Sequence, residues 1–258
     1  MNNYCHWNFS ELPYLFLAFE SQAKHLVFPD SIVDVQLSFQ KRWLELLISL
    51  YPDKVIHRIS KKKFPKNSLI PINHDTSTNT NPIGACQYKH FHHSRATPYL
   101  INIIEEKYKK YFNNAIQQTI AERIYIRRKN RVLKNELELQ NMVKELDFKI
   151  VELEKMDLDE QVLLFYKAKT IIGFHVAGLS NILFLDKSVQ VFEIVDSDCV
   201  YPCYIDGVVI PGQKATRTYF HMLSEMKGID YHAIESDEYY LNVKYFKNKL
   251  ITTLYKRH

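Results

Sequence analysis

Residues 170–193, TIIGFHVAGLSNILFLDKSVQVFE, constrain this chain more than any other stretch. The apolar, β-branched run 170–173 reads as a strand covered on both faces, the pattern of a parallel sheet. His175-Val176-Ala177-Gly178 then forms a tight loop of mostly small residues that opens a short helix, and 189–194 reads as a second buried strand. Strand, loop, helix and strand in this order make a βαβ unit. Such a unit commits a chain to an α/β fold with right-handed crossovers. The loop aims backbone N–H groups and the positive end of a helix at one place, so the expected guest is a phosphate or carboxylate. Glu193, read as lying at the carboxyl edge of the sheet, is expected to accept ribose hydroxyls.

The same alternation runs along the rest of the chain. Apolar spacing predicts helices over 8–21, 36–51, 99–120, 135–146, 159–168, 216–227 and from about 239. Strands are expected at 24–28, 54–59, 68–72, 123–126, 148–153 and 231–234. Residues 73–98, rich in Asn, Thr, Ser, Pro and His, read as a long loop, and 197–214 as irregular chain broken by Pro202, Gly207, Pro211 and Gly212. Two rounds of βα units suggest two Rossmann-like lobes, 1–98 and 99–236. A C-terminal helix at 237–258 is free to cross back to the first lobe.

Composition narrows the class. With 258 residues and 46% hydrophobic content, a packed core is expected. No apolar run is long enough to span a membrane. The N-terminus lacks the basic start and cleavage pattern of a signal peptide, and four scattered cysteines suit a reducing compartment, so a cytoplasmic protein is expected. A net charge of +5 does not by itself imply nucleic acid. The charge gathers locally at Lys61-Lys62-Lys63 and at Arg127-Arg128-Lys129-Asn130-Arg131. The lysine run reads as a solvated face, with contact to an anionic membrane as its alternative. The arginine run follows a strand directly and suits an anionic ligand. Cys86, His90, His92 and His93 match no ordinary zinc spacing, so a polar loop is favoured and no metal is assigned. No P-loop, GxGxxG or nucleophile elbow occurs.

Read in order, the second half carries Ile124-Tyr125-Ile126-Arg127-Arg128, Arg131 with Asn135-Glu136, Glu160-Gln161, His175-x-Ala177-Gly178-Leu179-x-Asn181, and Phe192-Glu193. Tyr4-Cys5-His6-Trp7 and Glu11-Leu12-Pro13 precede them. This series resembles glycosyltransferase family 61, which includes bacterial capsular-polysaccharide, plant xylan and eukaryotic O-linked GlcNAc transferases. The resemblance spans about residues 4–195. It departs at Val176, where the family carries Gly. Valine adopts positive φ only at a cost, so either the loop does not need that conformation or donor affinity is altered. Family members also carry more chain before the His-Trp segment, which implies a reduced first lobe.

The resemblance implies a GT-B fold, with two Rossmann-like lobes facing across a cleft. It implies an inverting, metal-independent transfer of sugar from a nucleotide-sugar donor, uridine-linked, to an oligosaccharide, lipid-linked or protein-linked glycan. The nucleotide sugar is a substrate, and no cofactor is implied. Metal-free cleavage of a sugar–phosphate bond needs cations and oriented N–H groups on the leaving diphosphate. Arg127, Arg128, Arg131, His175, Asn181 and the amides of Ala177, Gly178 and Leu179 are the residues that fit. For the acceptor-activating base, His6 is favoured by the resemblance, with Asp53 and Asp75 as alternatives. The resemblance also implies donor-binding roles for Asn135, Glu136, Glu160, Gln161 and Leu179, but bland roles compete: Asn135-Glu136 and Glu160-Gln161 suit helix starts, Leu179 suits the core, and Arg127 suits a structural ion pair. A non-catalytic glycan- or nucleotide-binding protein of the same fold is the competing function. Nucleic-acid binding, which would weaken steeply with salt, is the third and least favoured reading.

Overall fold

The computed structural model describes residues 12–29, 38–60, 101–108, 121–130, 132–175, 177–196, 200–205, 208–216 and 219–255. The predicted strand at 68–72 and loop at 73–98 lie outside them. Helix α1 (Leu12–Glu20) leads into β1 (His25–Pro29), α2 (Ser38–Leu50) and β2 (Val55–Ile59). β1 and β2 pair in parallel, so this first part is one βαβ unit. Of the helix expected at 99–120, residues 101–108 are described and are helical, with a π-helical turn at Ile104–Tyr108.

The second part is a five-stranded parallel sheet. Along the chain come β3 (Arg123–Ile126), α3 (Glu136–Glu145), β4 (Lys149–Val151), α4 (Leu158–Lys167) and β5 (Thr170–Phe174). A 3-10 helix (Ala177–Phe184) and β6 (Gln190–Asp196) follow. After a hairpin come α5 (Tyr219–Lys227), β9 (Asp230–Ser236) and α6 (Val243–Tyr255). The sheet order is β4-β3-β5-β6-β9, every neighbour parallel. The chain therefore starts at β3, steps outward to β4, then returns past β3 to β5 and continues in that direction. In such a doubly wound sheet the reversal between β3 and β5 is the switch point, and ligands bind beyond the carboxyl ends of those strands.

All five residues of β5 and all seven of β6 are buried. This is why 170–173 and 189–194 read as buried strands, although Gln190 and Glu193 interrupt the second. α3 and α6 share one face of the sheet, joined by Lys247 Nζ to Glu145 Oε2 at 2.6 Å. α6 drops Phe246 onto Phe192, with ring centroids 6.0 Å apart. The described part of the C-terminal helix thus packs on the second sheet. α4, the 3-10 helix and α5 cover the other face.

Within 197–214, expected to be irregular, the described residues form strands. β7 (Val200–Ile205) pairs antiparallel with β8 (Val208–Thr216). Asp206-Gly207 between two runs rich in β-branched and aromatic residues is a strong hairpin signal. Pro202, Pro211 and Gly212 hid it, although a two-stranded ribbon is all edge and tolerates such residues.

The two parts share one apolar core. Trp43 of α2, fully buried, lies edge-on to Phe16 of α1 and stacks with Phe184 at the end of the 3-10 helix, both at 6.0 Å. Above this contact Arg42 Nη2 meets Asp159 Oδ2 at 2.6 Å. No helix among the described residues is long and apolar enough to cross a membrane.

Candidate functional site

The sheet order directs attention to whatever follows Ile126 and Phe174. Arg127 and Arg128 follow the first, and His175 follows the second. The Arg127 N–H continues the ladder to the Val151 carbonyl at 2.8 Å, which fixes where its side chain departs. Arg127 Nη1 lies 3.2 Å from Glu152 Oε1. The side chain keeps 43% of its surface exposed, while its Nε is shielded and has no hydrogen-bond partner among the described residues. Burying a guanidinium donor without an acceptor is costly. An anionic ligand would remove that cost. Lys155 reaches the other oxygen of Glu152 at 2.8 Å. Its hydrogen bond, and after it the charges of Lys155 and Arg127, hold the Glu152 carboxyl below its ordinary value. Arg127 therefore has the structural ion pair foreseen as its alternative role, with donors remaining.

Arg128 crosses the switch point. Its Nη1 donates to the His175 carbonyl at 3.2 Å, joining the ends of β3 and β5. His175 is anchored at both backbone and ring. Its N–H donates to the Ile194 carbonyl at 2.8 Å, and Nδ1 bonds Glu193 Oε1. Its ring lies 5.5 Å from that of Phe220 on α5. Ala177 and Gly178, both half-buried, open the 3-10 helix. The first N–H groups of any helix lack an intrahelical acceptor, and this helix begins two residues after His175.

Gly173 explains how the 3-10 helix comes so close. A Cβ there would stand 3.2 Å from Leu179 Cδ2. Leu179 is fully buried, which settles it as core. The helix is held from below by amides. Asn181 Nδ2 donates to Gln161 Oε1 at 3.0 Å, and Gln161 Nε2 donates to the carbonyls of Leu153 and Met156. Asn181 is fully buried, so it braces the loop, and Gln161 is its partner in that task. Glu160 forms a capping box with Asp157, the bland role expected for a helix start.

Asn135 and Glu136 also turn inward. Asn135 stands at the N-cap of α3, yet its side chain makes no cap bond. It instead brackets Leu241, accepting from its N–H at 3.1 Å and donating to its carbonyl at 2.8 Å. Glu136 accepts from the buried Tyr125 hydroxyl at 2.8 Å and from Gln140 at 3.0 Å.

Two expectations need correction. Glu193 is not at the carboxyl edge: it pairs with Gly173 in mid-strand, three residues before β6 ends, and is fully buried. Its oxygens serve His175 and Tyr231. The acid at the end of β6 is Asp196, which accepts from the Ser236 hydroxyl at 2.8 Å and the Tyr239 N–H at 2.6 Å. Asp53 lies exposed in the turn before β2, at the amino end of that strand. The carboxyl ends of strands are where α/β ligands sit, so its position does not suit a base. His6, Asp75, Arg131 and Val176 lie outside the described residues. Tyr231, absent from the sequence reading, joins the site only through strand register.

Comparison with curated proteins gives no match. The family model described as Glycosyltransferase 61 matches residues 4–192, well over half of the chain. It takes in the arginine pair, the Glu-Gln helix start and the His-x-Ala-Gly-Leu loop gathered at the switch point, and the chain belongs to this family of glycosyltransferases.

Proposed function

We propose that the chain transfers a sugar from a uridine-diphosphate-linked donor to a glycan hydroxyl, with inversion and without a metal. The observation that carries this reading is the convergence of Arg127, Arg128, His175 and the start of the 3-10 helix at the carboxyl ends of β3 and β5. Cleavage of the sugar–phosphate bond leaves charge on the diphosphate. Planar guanidinium groups accept that charge through paired hydrogen bonds, and backbone N–H groups add donors that need no reorganisation. A GT-B arrangement would place the first βαβ unit, with the 1–98 segment, on the acceptor side of a cleft. His6 is the proposed base that takes the proton of the attacking hydroxyl, and Asp75 is its alternative. The acceptor is a growing oligosaccharide or a lipid- or protein-linked glycan. Peripheral contact with a membrane would follow from a lipid-linked one.

The test is a thermal-shift screen with UDP-, GDP- and CMP-sugars, followed by transfer and donor-hydrolysis assays. UDP-sugars are expected to stabilise the protein. A charge-assisted hydrogen bond contributes about 1.5–3 kcal/mol, so Arg127→Ala should weaken UDP binding by roughly ten- to a hundredfold. His175→Ala should abolish transfer while the protein stays folded. Full activity in both variants would sink the assignment.

A further inference from the structure

Three side chains run diagonally across the sheet: Tyr231 on β9, Glu193 on β6, and His175 just past β5. Val191 pairs with Tyr231 and Glu193 with Ala233, so Tyr231 and Glu193 share a face two rungs apart, within reach of a long side chain. The Tyr231 hydroxyl donates to Glu193 Oε2, and His175 Nδ1 bonds Oε1. The carboxylate is fully buried and has a partner on each oxygen. An ionised carboxylate only accepts, so the ring nitrogen facing it must carry hydrogen. That selects the tautomer: Nδ1 is protonated, and Nε2 is the nitrogen that gains or loses the second proton.

The surroundings hold this chain of contacts in place. α5 sets the His221 ring against Tyr231 at 5.1 Å and the Phe220 ring against His175 at 5.5 Å. Arg128 holds the His175 carbonyl, and the Ile194 carbonyl holds its N–H. Burial first, and then the Glu193 charge, push the Tyr231 phenol above its ordinary value, so it remains a donor at neutral pH.

We propose that Tyr231 and Glu193 are positioning residues, which fix His175 with Nδ1 protonated so that Nε2–H is the donor to the leaving diphosphate. This rests on the donor-site reading above. Affinity for a diphosphate then depends on the Nε2 proton and falls as pH rises through the titration of the imidazole. Among the described residues, the ionisable groups facing His175 are Glu193 of β6 and Arg128 beyond β3. Tyr231 of β9 stands behind Glu193, and His221 of α5 behind Tyr231.

Calorimetric titration with uridine diphosphate from about pH 5.5 to about pH 8.5, around the ordinary histidine range, tests the inference. Carboxylate partners behind metal-binding histidines are worth about ten- to a hundredfold. Tyr231→Phe is expected near the lower end of that range. It should also move the midpoint of the pH curve upward, because a carboxylate stripped of its phenol holds the imidazole proton more tightly. Glu193→Gln should move the midpoint downward, since no negative charge then balances the cation. Arg127→Ala should lower affinity at every pH without moving the midpoint. Unchanged midpoints in both Tyr231→Phe and Glu193→Gln overturn the inference and leave the donor site standing. Wild-type protein that binds no uridine diphosphate removes the donor-site reading itself. Nitrogen-15 NMR of the wild-type imidazole gives a check that needs no variant: the neutral ring must carry hydrogen on Nδ1, and hydrogen on Nε2 overturns the inference.

Discussion

At the scale of single residues, two tyrosines carry a measurable signature. Tyr125, fully buried, and Tyr231, half-buried, both bond carboxylates, Glu136 and Glu193. Burial first, and the acid second, push each phenol above the ordinary value of about 10. The folded state therefore keeps protons that the unfolded state releases. The stability tied to them is whole below about pH 10 and is lost as pH rises beyond it. Tyr125→Phe or Tyr231→Phe should flatten the alkaline fall in urea midpoints between about pH 9 and about pH 11, where phenols titrate. Identical slopes in wild type and variants would rule this out. The sequence marks neither residue. Tyr125 reads as an ordinary strand residue, and Tyr231 meets an acid 38 positions away only because β9 pairs with β6.

At the scale of elements, the 3-10 helix Ala177–Phe184 is the piece to probe. Its hydrogen-bond geometry is poorer than that of an α-helix, and runs this long are uncommon. It is held by packing on Gly173 and by the Asn181–Gln161 amide chain. Gly173→Ala puts a methyl 3.2 Å from Leu179 Cδ2, and Leu179 is fully buried with little room to yield. Overpacking of this kind costs about 1–3 kcal/mol. The expected outcome is a lowered Tm together with weaker binding of uridine diphosphate, because the displaced helix carries Ala177 and Gly178. Normal binding in a destabilised variant would separate this helix from the donor site. The element pattern itself was largely legible. Strand 123–126 matches as read, and β5 and β6 differ by two residues at most at either end, because short segments rich in β-branched and aromatic residues have few alternatives. The hairpin at Val200–Thr216 was not, because proline and glycine argue for breaks unless the chain is known to be an edge.

At the scale of the whole molecule, the first βαβ unit is not a separate body. Its buried residues belong to the same apolar cluster as those of the five-stranded sheet, with Trp43 between Phe16 and Phe184. Removing a buried tryptophan side chain costs about 3–5 kcal/mol. Trp43→Ala should therefore lower the urea midpoint of the five-stranded sheet, and not only that of the N-terminal helices. A sheet transition that stays in place would show that the parts unfold independently. Arg42 and Asp159 cross the same contact, but a partly exposed pair contributes about 0.2–1 kcal/mol, so the aromatic packing dominates.

The sequence by itself determined the α/β class, the parallel second sheet and a set of side chains whose chemistry suits an anion. These follow from local periodicity and from residue chemistry, which need no knowledge of neighbours. It also pointed to the family through the order of its motifs. Only the tertiary structure decided which of those side chains meet. Strand order brought Arg127, Arg128 and His175 to one switch point. Burial placed Leu179 and Asn181 in the core, and hydrogen bonds engage the half-buried Gln161 and Glu136 with Asn181 and Tyr125. Register moved Glu193 from the strand edge to the middle of β6 and set Tyr231 beside it. The physical reason is that ladder pairing and burial are properties of chains brought together from distant positions. A residue's type shows what it can bond, and the pairing of strands fixes what it does bond.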